Sequence, residues 1–426
     1  MRPRLPTAPP PGPARPGFWR SPIRGPWLTS FVGLLLLPGL AILFATGLLS
    51  HAVYQPQLGQ NAVVPRDLPL QPLTFAWPTS PSWLYAATQG THMTLGIALV
   101  PLLLLKLWSV IPRLFAWPPA ATPAQALERL ATLLLVASAL FQFVTGITNV
   151  QLWYPWGFGF VVAHYYGAWV FVASLVLHLA VKLPTVRRAW RTRQALRPLL
   201  DDLARTRPEP FEPGGLVTPN PAAPTISRRG AIGLAGAASG SLLLLTVGQS
   251  VGGPLRKIAL FAPRGAGAVS PGPNGFPVNK TALVARVSAE MAGAAWRLDL
   301  RGAERLSLSR DELLAMELAS HELPIACVEG WSTIQRWTGV PLAALAALAG
   351  ADPDDVLHVA SLQPRGAFRQ TTLGAHQVAA DGALLALRVN GADLSLDHGF
   401  PARIIGPGLP GVHCTKWVSG LTFARS

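Results

Sequence analysis

The sequence predicts a multi-domain protein: an all-α transmembrane bundle of four helices plus a fifth tethering helix, followed by an α+β domain. Half of the 426 residues are hydrophobic and only 13% are charged, where a soluble chain carries about a quarter charged residues. The deficit is local. Long apolar runs fill roughly the first 250 residues, and the rest has ordinary polarity. The net charge of +15 clusters beside those runs, where positive charge fixes membrane orientation. That placement argues against nucleic acid as a partner.

The elements follow in order. Residues 1–26 are rich in Pro and Arg (Arg2, Arg4, Arg15, Arg20, Arg24) and read as a disordered basic tail. Residues 27–50 form an apolar run long enough to span, since a membrane helix needs about 20 residues. Residues 51–90 are a Pro-rich loop whose only basic residue is Arg66. A second span covers 91–111, a loop with Arg113 covers 112–126, and a third span covers 127–150. The loop 151–159 lacks Lys and Arg and is rich in Trp and Tyr, as suits a membrane interface. A fourth span covers 160–183 and closes a module over 27–183. The segment 184–229 is a basic linker with Arg187, Arg188, Arg191, Arg193 and Arg197, close behind Lys182. The positive-inside rule puts the tail, the Arg113 loop and this linker in the cytoplasm, and the poorly charged loops outside.

Ser227-Arg228-Arg229-Gly230 precedes a fifth apolar run over 231–251, giving a tethering helix at 230–251. The arginine pair resembles a twin-arginine export signal. A plain stop-transfer pair is the alternative. Either way residues 252–426 lie outside the cytoplasm, and without an A-x-A site they are expected to stay tethered. This last region mixes short β-rich runs (283–287, 296–300, 384–389) with helical ones (310–316, 341–348). Gly, Pro and Asp punctuate the turns, as in Val389-Asn390-Gly391.

Four histidines lie in or beside spans: His51, His92, His164 and His178. Polar residues at membrane depth are costly and functional by default. His164 and His178 are 14 residues apart, about 21 Å along one helix and on nearly the same face. This spacing resembles the fourth helix of the two-haem cytochrome b subunits of hydrogenases and formate dehydrogenases. Two neutral imidazoles are ordinary axial ligands of haem b. By depth, His92 and His164 pair at an outer haem, with His51 as the substitute. The inner His178 lacks the usual histidine partner, because residues 24–32 contain none. Lys106 stands at the inner depth, as a rare ligand or as a snorkelling side chain. One haem b is expected, and a second only if His178 has a partner. The bland alternative is that all four histidines only hydrogen-bond between helices.

Ile325-Ala326-Cys327-Val328-Glu329-Gly330-Trp331-Ser332 holds one of two cysteines in the chain. Taken alone, a thiol between apolar residues is usually a small core residue. Downstream come Asp397-His398-Gly399-Phe400-Pro401-Ala402-Arg403 and Gly411-Val412-His413-Cys414-Thr415-Lys416-Trp417. Together, over roughly residues 255–426, the three blocks resemble the molybdenum-cofactor domain of the sulfite oxidase family. The wording around Cys327 is most similar to its periplasmic methionine-sulfoxide reductase branch. The resemblance implies a sulfite-oxidase-type fold and a molybdenum–molybdopterin cofactor, with Cys327 as the single protein ligand to molybdenum. His398, Arg403, Cys414 (through its backbone), Thr415 and Lys416 would then hold the cofactor, with Asn279 as a weaker match. A Cys327–Cys414 disulfide would consume the ligand. Cofactor insertion in the cytoplasm also suits twin-arginine export of a folded domain. The C-terminal dimerisation domain of eukaryotic sulfite oxidases is not expected after Lys416-Trp417, and the oligomeric state stays open.

The resemblance implies oxygen-atom transfer to or from a small substrate, with electrons relayed between the membrane quinone pool and molybdenum by haem b. Sulfite oxidases surround the metal cysteine with arginines. Here Glu329 and Trp331 flank it and Arg336 is nine residues on, which favours a neutral or bulky S-oxide or N-oxide. Arg365 and Arg369 would reverse that argument if they fold over the site. Three alternatives remain: sulfite-type oxidation delivering electrons to haem, a cofactor-free binding or sensing protein, and a haem-only electron carrier.

Overall fold

The computed structural model describes residues 8–54, 75–119, 122–192, 196–212 and 215–425. Arg2, Arg4, Arg66 and Arg193 lie outside them. The helical part comprises α1 (Pro26–Tyr54), α2 (Leu84–Ala98), α3 (Val100–Leu114), α4 (Pro123–Val150), α5 (Phe160–Thr192) and α6 (Arg228–Val251). Of these, α1, α4, α5 and α6 are long and apolar enough to cross a membrane, and the count is five if α2 and α3 form one span. By its contacts the chain divides into two units: Met1–Phe44 with Leu95–Leu243, and Ala45–Thr94 with Leu244–Ser426. The end of α1, the start of α2 and the end of α6 therefore group with the C-terminal domain.

In the first unit α4 and α5 pack along each other. Thr122 caps α4 by accepting from Gln125 N at 3.1 Å. Trp27, Leu28, Val32 and Leu36 of α1 share a core with Leu99 and Leu103. Three expectations need correction here. The second span is not one straight helix, because α2 and α3 meet at a 42° bend. Pro101 has no N–H to donate to the turn before it, and its ring crowds that carbonyl. The basic tail is ordered near its end. Ile23 and Arg24 are buried, and the Arg24 guanidinium lies 4.0 Å over the Trp108 ring while Nε donates to Trp108 O at 3.1 Å. The fourth helix also does not end at residue 183, where the basic linker was expected to begin. α5 continues through Pro184 to Thr192, and buried Glu209 accepts from Trp27 N at 3.2 Å, at the N-terminus of α1. A carboxylate there satisfies an orphan donor and complements the helix dipole. Ser227 Oγ accepts from Gly230 N at 3.0 Å, which explains why α6 starts at the arginine pair.

The second unit adds α7 (Gly253–Arg256), α8 (Ala282–Ala285), β1 (Leu298–Arg301), β2 (Arg305–Leu308), α9 (Arg310–Leu314), β3 (Ala319–Ala326), β4 (Ser332–Pro341) and α10 (Leu342–Leu348). It continues with β5 (Val356–Ser361), β6 (Gln370–Leu373), α11 (Ala375–Val378), β7 (Leu384–Val389), β8 (Ala392–Asp393), β9 (Arg403–Ile405) and β10 (Val418–Ala424). One sheet runs β2-β1-β10-β5-β6, and the other runs β3-β4-β7-β8 with β9 also on β7. β1 and β10 pair in parallel, and the other pairs in both sheets are antiparallel. Alternate inward residues such as Leu298, Leu300, Trp337, Leu385 and Leu421 form one shared core. β7 is apolar on both faces, as a strand paired on both edges and covered on both sides must be. Asn390 and Gly391 both have positive φ, 51° and 82°, and turn β7 into β8 as expected. The expected strand at 283–287 is instead the single helical turn α8. Thr281 caps it, Arg286 closes it at φ 58°, and Leu283 and Val284 point outward.

Candidate functional site

Cys327 sits at the tip of the β3–β4 hairpin. Cys327 N donates to Trp331 O at 2.9 Å, Gly330 N donates to Cys327 O at 2.9 Å, and Gly330 takes φ +87°. A Cβ at Gly330 would collide with the Met93 side chain, so glycine is required both by conformation and by space. Each carbonyl after Cys327 has its own donor. Gln89 Nε2 donates to Val328 O (2.7 Å), Gln249 Nε2 to Glu329 O (3.3 Å) and Ser250 Oγ to Gly330 O (2.5 Å). Gln89 in turn accepts from Ser50 Oγ at 2.8 Å. The cysteine turn is thus clamped by α2 and α6, a contact that no local sequence pattern signals. Gln89→Leu would take the partners from half-buried Val328 O and buried Ser50 Oγ, at about 1–3 kcal/mol. We expect turnover to fall about tenfold or more at unchanged metal content, as read by steady-state assay and elemental analysis.

Four of the other predicted cofactor residues share a pocket with this thiol, and Cys414 and Thr415 do not line it. Cys327, Asn279, His398, Arg403 and Lys416 line one pocket with Phe276, Pro277, Ile325, Trp331 and Gly411. β9 starts at Arg403, whose guanidinium donates to His398 O (3.0 Å) and Cys414 O (3.2 Å) and lies 5.1 Å from the Trp337 ring centroid. Lys416 Nζ donates to Lys280 O (2.6 Å) and Asp397 O (2.7 Å). Gly399, at φ +108°, lets these backbones meet, because a Cβ there would press on Lys416 and Arg403 at 3.0 and 3.2 Å. His398 stacks on Phe276 at 3.8 Å between centroids, and its Nε2 is 2.9 Å from Asn274 O. A carbonyl only accepts, so Nε2 carries the proton and Nδ1 keeps its lone pair. Burial and the nearby Arg403 push the His398 pKa down to about 4, so the ring is neutral near pH 7. Thr415 is buried with its hydroxyl unbonded, and the Cys414 carbonyl is taken up by Arg403. Cys327 and Cys414 are both free thiols.

The electrostatics are unusual. Arg403 is 2% exposed and Lys416 9%, yet among the described residues neither is in an ion pair. Burial lowers the Lys416 pKa to about 7, and Arg403 adds to the effect. A buried charge without a counter-charge costs several kcal/mol, so the pocket calls for an anion. Burial, then Glu329, raises the Cys327 pKa, and a bound cation would reverse that. Glu329 itself is turned aside. Its Oε2 accepts from Trp331 Nε1 at 3.1 Å and lies 3.4 Å from Arg264 Nε. The expected acidic rim is therefore neutralised within the protein. Arg336, Arg365 and Arg369 are exposed and do not line the pocket.

Residues 285–426 match the family described as oxidoreductase molybdopterin binding domain. These residues form a molybdopterin-binding oxidoreductase domain. Similar curated proteins include a putative protein-methionine-sulfoxide reductase subunit YedZ1 of Azospira oryzae, 28% identical over 147 residues (32% of this chain, 52% of the relative). Others are the uncharacterized oxidoreductase YuiH of Bacillus subtilis, 29% identical (30% and 66%), and the mitochondrial sulfite oxidase of Drosophila melanogaster, 33% identical (21% and 17%). The chain thus spans less than two thirds of each of these relatives. The sulfane dehydrogenase SoxCD of Paracoccus pantotrophus is similar over 38% of this chain and 41% of its own, at 21% identity and a TM-score of 0.29, too low to carry an argument.

The residues of this site suit such a cofactor by their chemistry. Arg403 Nε and Thr415 Oγ1 are buried without hydrogen-bond partners. With the two unpaired cations they form a donor set for phosphate oxygens, beside a buried thiol suited to a soft metal. Phe276, Asn274 and Lys280 were not singled out by sequence. Phe276-Pro277 before Asn279 was the available signal, and only the fold brings it to His398.

The membrane histidines are arranged in two ways. His92 Nδ1 is 3.2 Å from Thr46 Oγ1, and His164 Nδ1 is 3.1 Å from Thr145 Oγ1. Each threonine is followed by a glycine, Gly47 or Gly146, and a Cβ there would approach the same imidazole at 3.1 or 3.6 Å. This repeated Thr-Gly pair facing a histidine was missed in the sequence, where the partners are 46 and 19 residues apart. Metal-bound histidines commonly have the second nitrogen held in this way, and small residues leave room at the ring. His51 is buried in the last turn of α1. His178 and Lys106 line one large cavity within the first unit.

Proposed function

We propose that this chain is a membrane-anchored, molybdenum-dependent oxidoreductase that transfers an oxygen atom, in the direction of S-oxide reduction. The observation that carries the reading is the pair of buried, unpaired cations, Arg403 and Lys416, around the Cys327 thiol. Cys327 would ligate the metal. Arg403, Thr415 and Lys416 would bind the phosphate of the pterin. His398 and Asn279 would flank it, and the Cys414 carbonyl would hold Arg403 in place. When bound, the cofactor supplies the two-electron redox chemistry that oxygen transfer needs. The protein's share is to fix the thiolate through the clamped turn, shield it from water and balance its charge. The match to a protein named as a sulfoxide reductase subunit supports the direction. The neutralised Glu329 gives no argument against an anionic substrate.

The same proposal keeps the sequence expectation that His92 and His164 are ligands of haem b, which relays electrons from the quinone pool, and that α6 with its arginine pair tethers an exported domain. The Thr46 and Thr145 contacts to Nδ1 support the ligand roles. The N-terminus is then cytoplasmic and the C-terminal domain extracytoplasmic. The test uses detergent-purified chain. About one molybdenum and one haem b per chain, with reduction of a dialkyl or aryl sulfoxide by reduced viologen, are expected. Rapid haem reduction on adding sulfite, without sulfoxide turnover, would overturn the direction. Absence of molybdenum would overturn the enzyme reading.

A further inference from the structure

We propose that the cavity between α1, α3, α4 and α5 binds the ring of a membrane quinone or quinol, through Lys106 and His178. This rests on the electron-relay reading above and names where the lipid-soluble donor docks. The cavity measures about 560 Å³ and is walled mostly by apolar side chains such as Leu40, Leu107 and Phe171. That size and apolarity are typical of small-molecule sites, which use a few placed polar groups for orientation. Here the polar groups include Lys106, His178 and the Glu128–Lys182 ion pair.

A second haem is the competing occupant, and two observations weigh against it. Metal-bound histidines almost always have the second ring nitrogen held by a partner, as His92 and His164 do. Among the described residues neither ring nitrogen of His178 is hydrogen bonded, although it lines the cavity. Of the amines that line the cavity, Lys182 is paired with Glu128, and Lys106 is a hydrogen-bond donor: its Nζ donates to Thr29 O at 2.7 Å. An ammonium has no lone pair for iron, but its remaining N–H bonds suit a quinone carbonyl oxygen. His178 can accept the hydrogen bond of a quinol hydroxyl on the opposite side of the ring. Gly33 keeps space for the ammonium, since a Cβ there would stand 3.1 Å from Lys106 Nζ.

The redox balance is simple. Oxidation of quinol to quinone releases two electrons and two protons. The electrons leave one at a time to the haem of the proposed relay. The protons leave through His178 and then the Glu128–Lys182 pair, which Arg113 also approaches at 3.8 Å.

The test is a titration of the detergent-purified full chain with a short-chain ubiquinone, read by tryptophan fluorescence, with haem counted by pyridine haemochrome. The wild type should bind about one quinone per chain. Lys106→Met and His178→Leu should each weaken binding at least tenfold with haem content unchanged. Leu40→Trp, which fills the cavity without touching the polar groups, should block binding. Lys106→Arg, with donors retained, should restore most of it if loss in Lys106→Met reflects chemistry rather than folding. Loss of a haem in His178→Leu would overturn the proposal in favour of a second haem. Unsaturable binding, or binding indifferent to all three changes, would also overturn it. Sulfoxide reduction by viologen bypasses the quinone, so its failure would sink the parent reading and leave this site standing.

Discussion

Cys327→Ser is expected to lower oxygen-transfer turnover by roughly 10³-fold or more, while the haem spectrum stays that of the wild type. The hydroxyl cannot replace a soft sulfur ligand, and the site around it is specific for an anion-bearing cofactor. Cys327 is 3% exposed, so nothing else in the turn can move into its place without breaking the contacts to Gln89, Gln249 and Ser250. Serine is nearly isosteric, and both backbone hydrogen bonds of the residue survive the change. The fold should therefore persist. The measurements are sulfoxide turnover with reduced viologen, elemental molybdenum, and the haem absorption spectrum. Turnover near the wild-type level would remove Cys327 from the metal site. Loss of haem in this variant would show that the two modules are coupled more tightly than proposed.

The complementary change, His164→Ala, should cut haem b content to well below half and leave molybdenum in place. Alanine removes the imidazole held at Thr145 and opens a void beside Gly146. Viologen-driven sulfoxide reduction should then continue, and quinol-driven reduction should stop. Thr145→Val separates ligation from orientation. It keeps the imidazole but removes the hydrogen bond to Nδ1, so haem should bind with a shifted reduction potential. Full haem content in His164→Ala would exclude His164 as an axial ligand.

Much of the protein was legible in the sequence. Apolar length fixed the helices, since about 20 residues are needed to span, and α4 ends at Val150 and α6 at Val251 as the pattern predicts. The apolar run at Leu384–Val389 and the Asn390-Gly391 turn gave a strand and a hairpin because both depend on neighbours in the chain. The three blocks around Cys327, His398 and Lys416 pointed to one site by family resemblance, and the pocket contains all three.

Other features needed the tertiary structure. The run 283–287 is mostly apolar, but Thr281 caps it into a helical turn and leaves Leu283 and Val284 exposed. Glu329 looked like part of an acidic rim until Arg264, 65 residues away, took its carboxylate. Gln89 clamps a carbonyl 239 residues downstream, and Thr46 meets His92 from another helix. Sequence by itself determined what depends on periodicity, turn chemistry and residue type. The partners of buried polar groups were decided only by the fold, because a hydrogen bond or a counter-charge is set by separation in space, and nothing in local sequence encodes that distance.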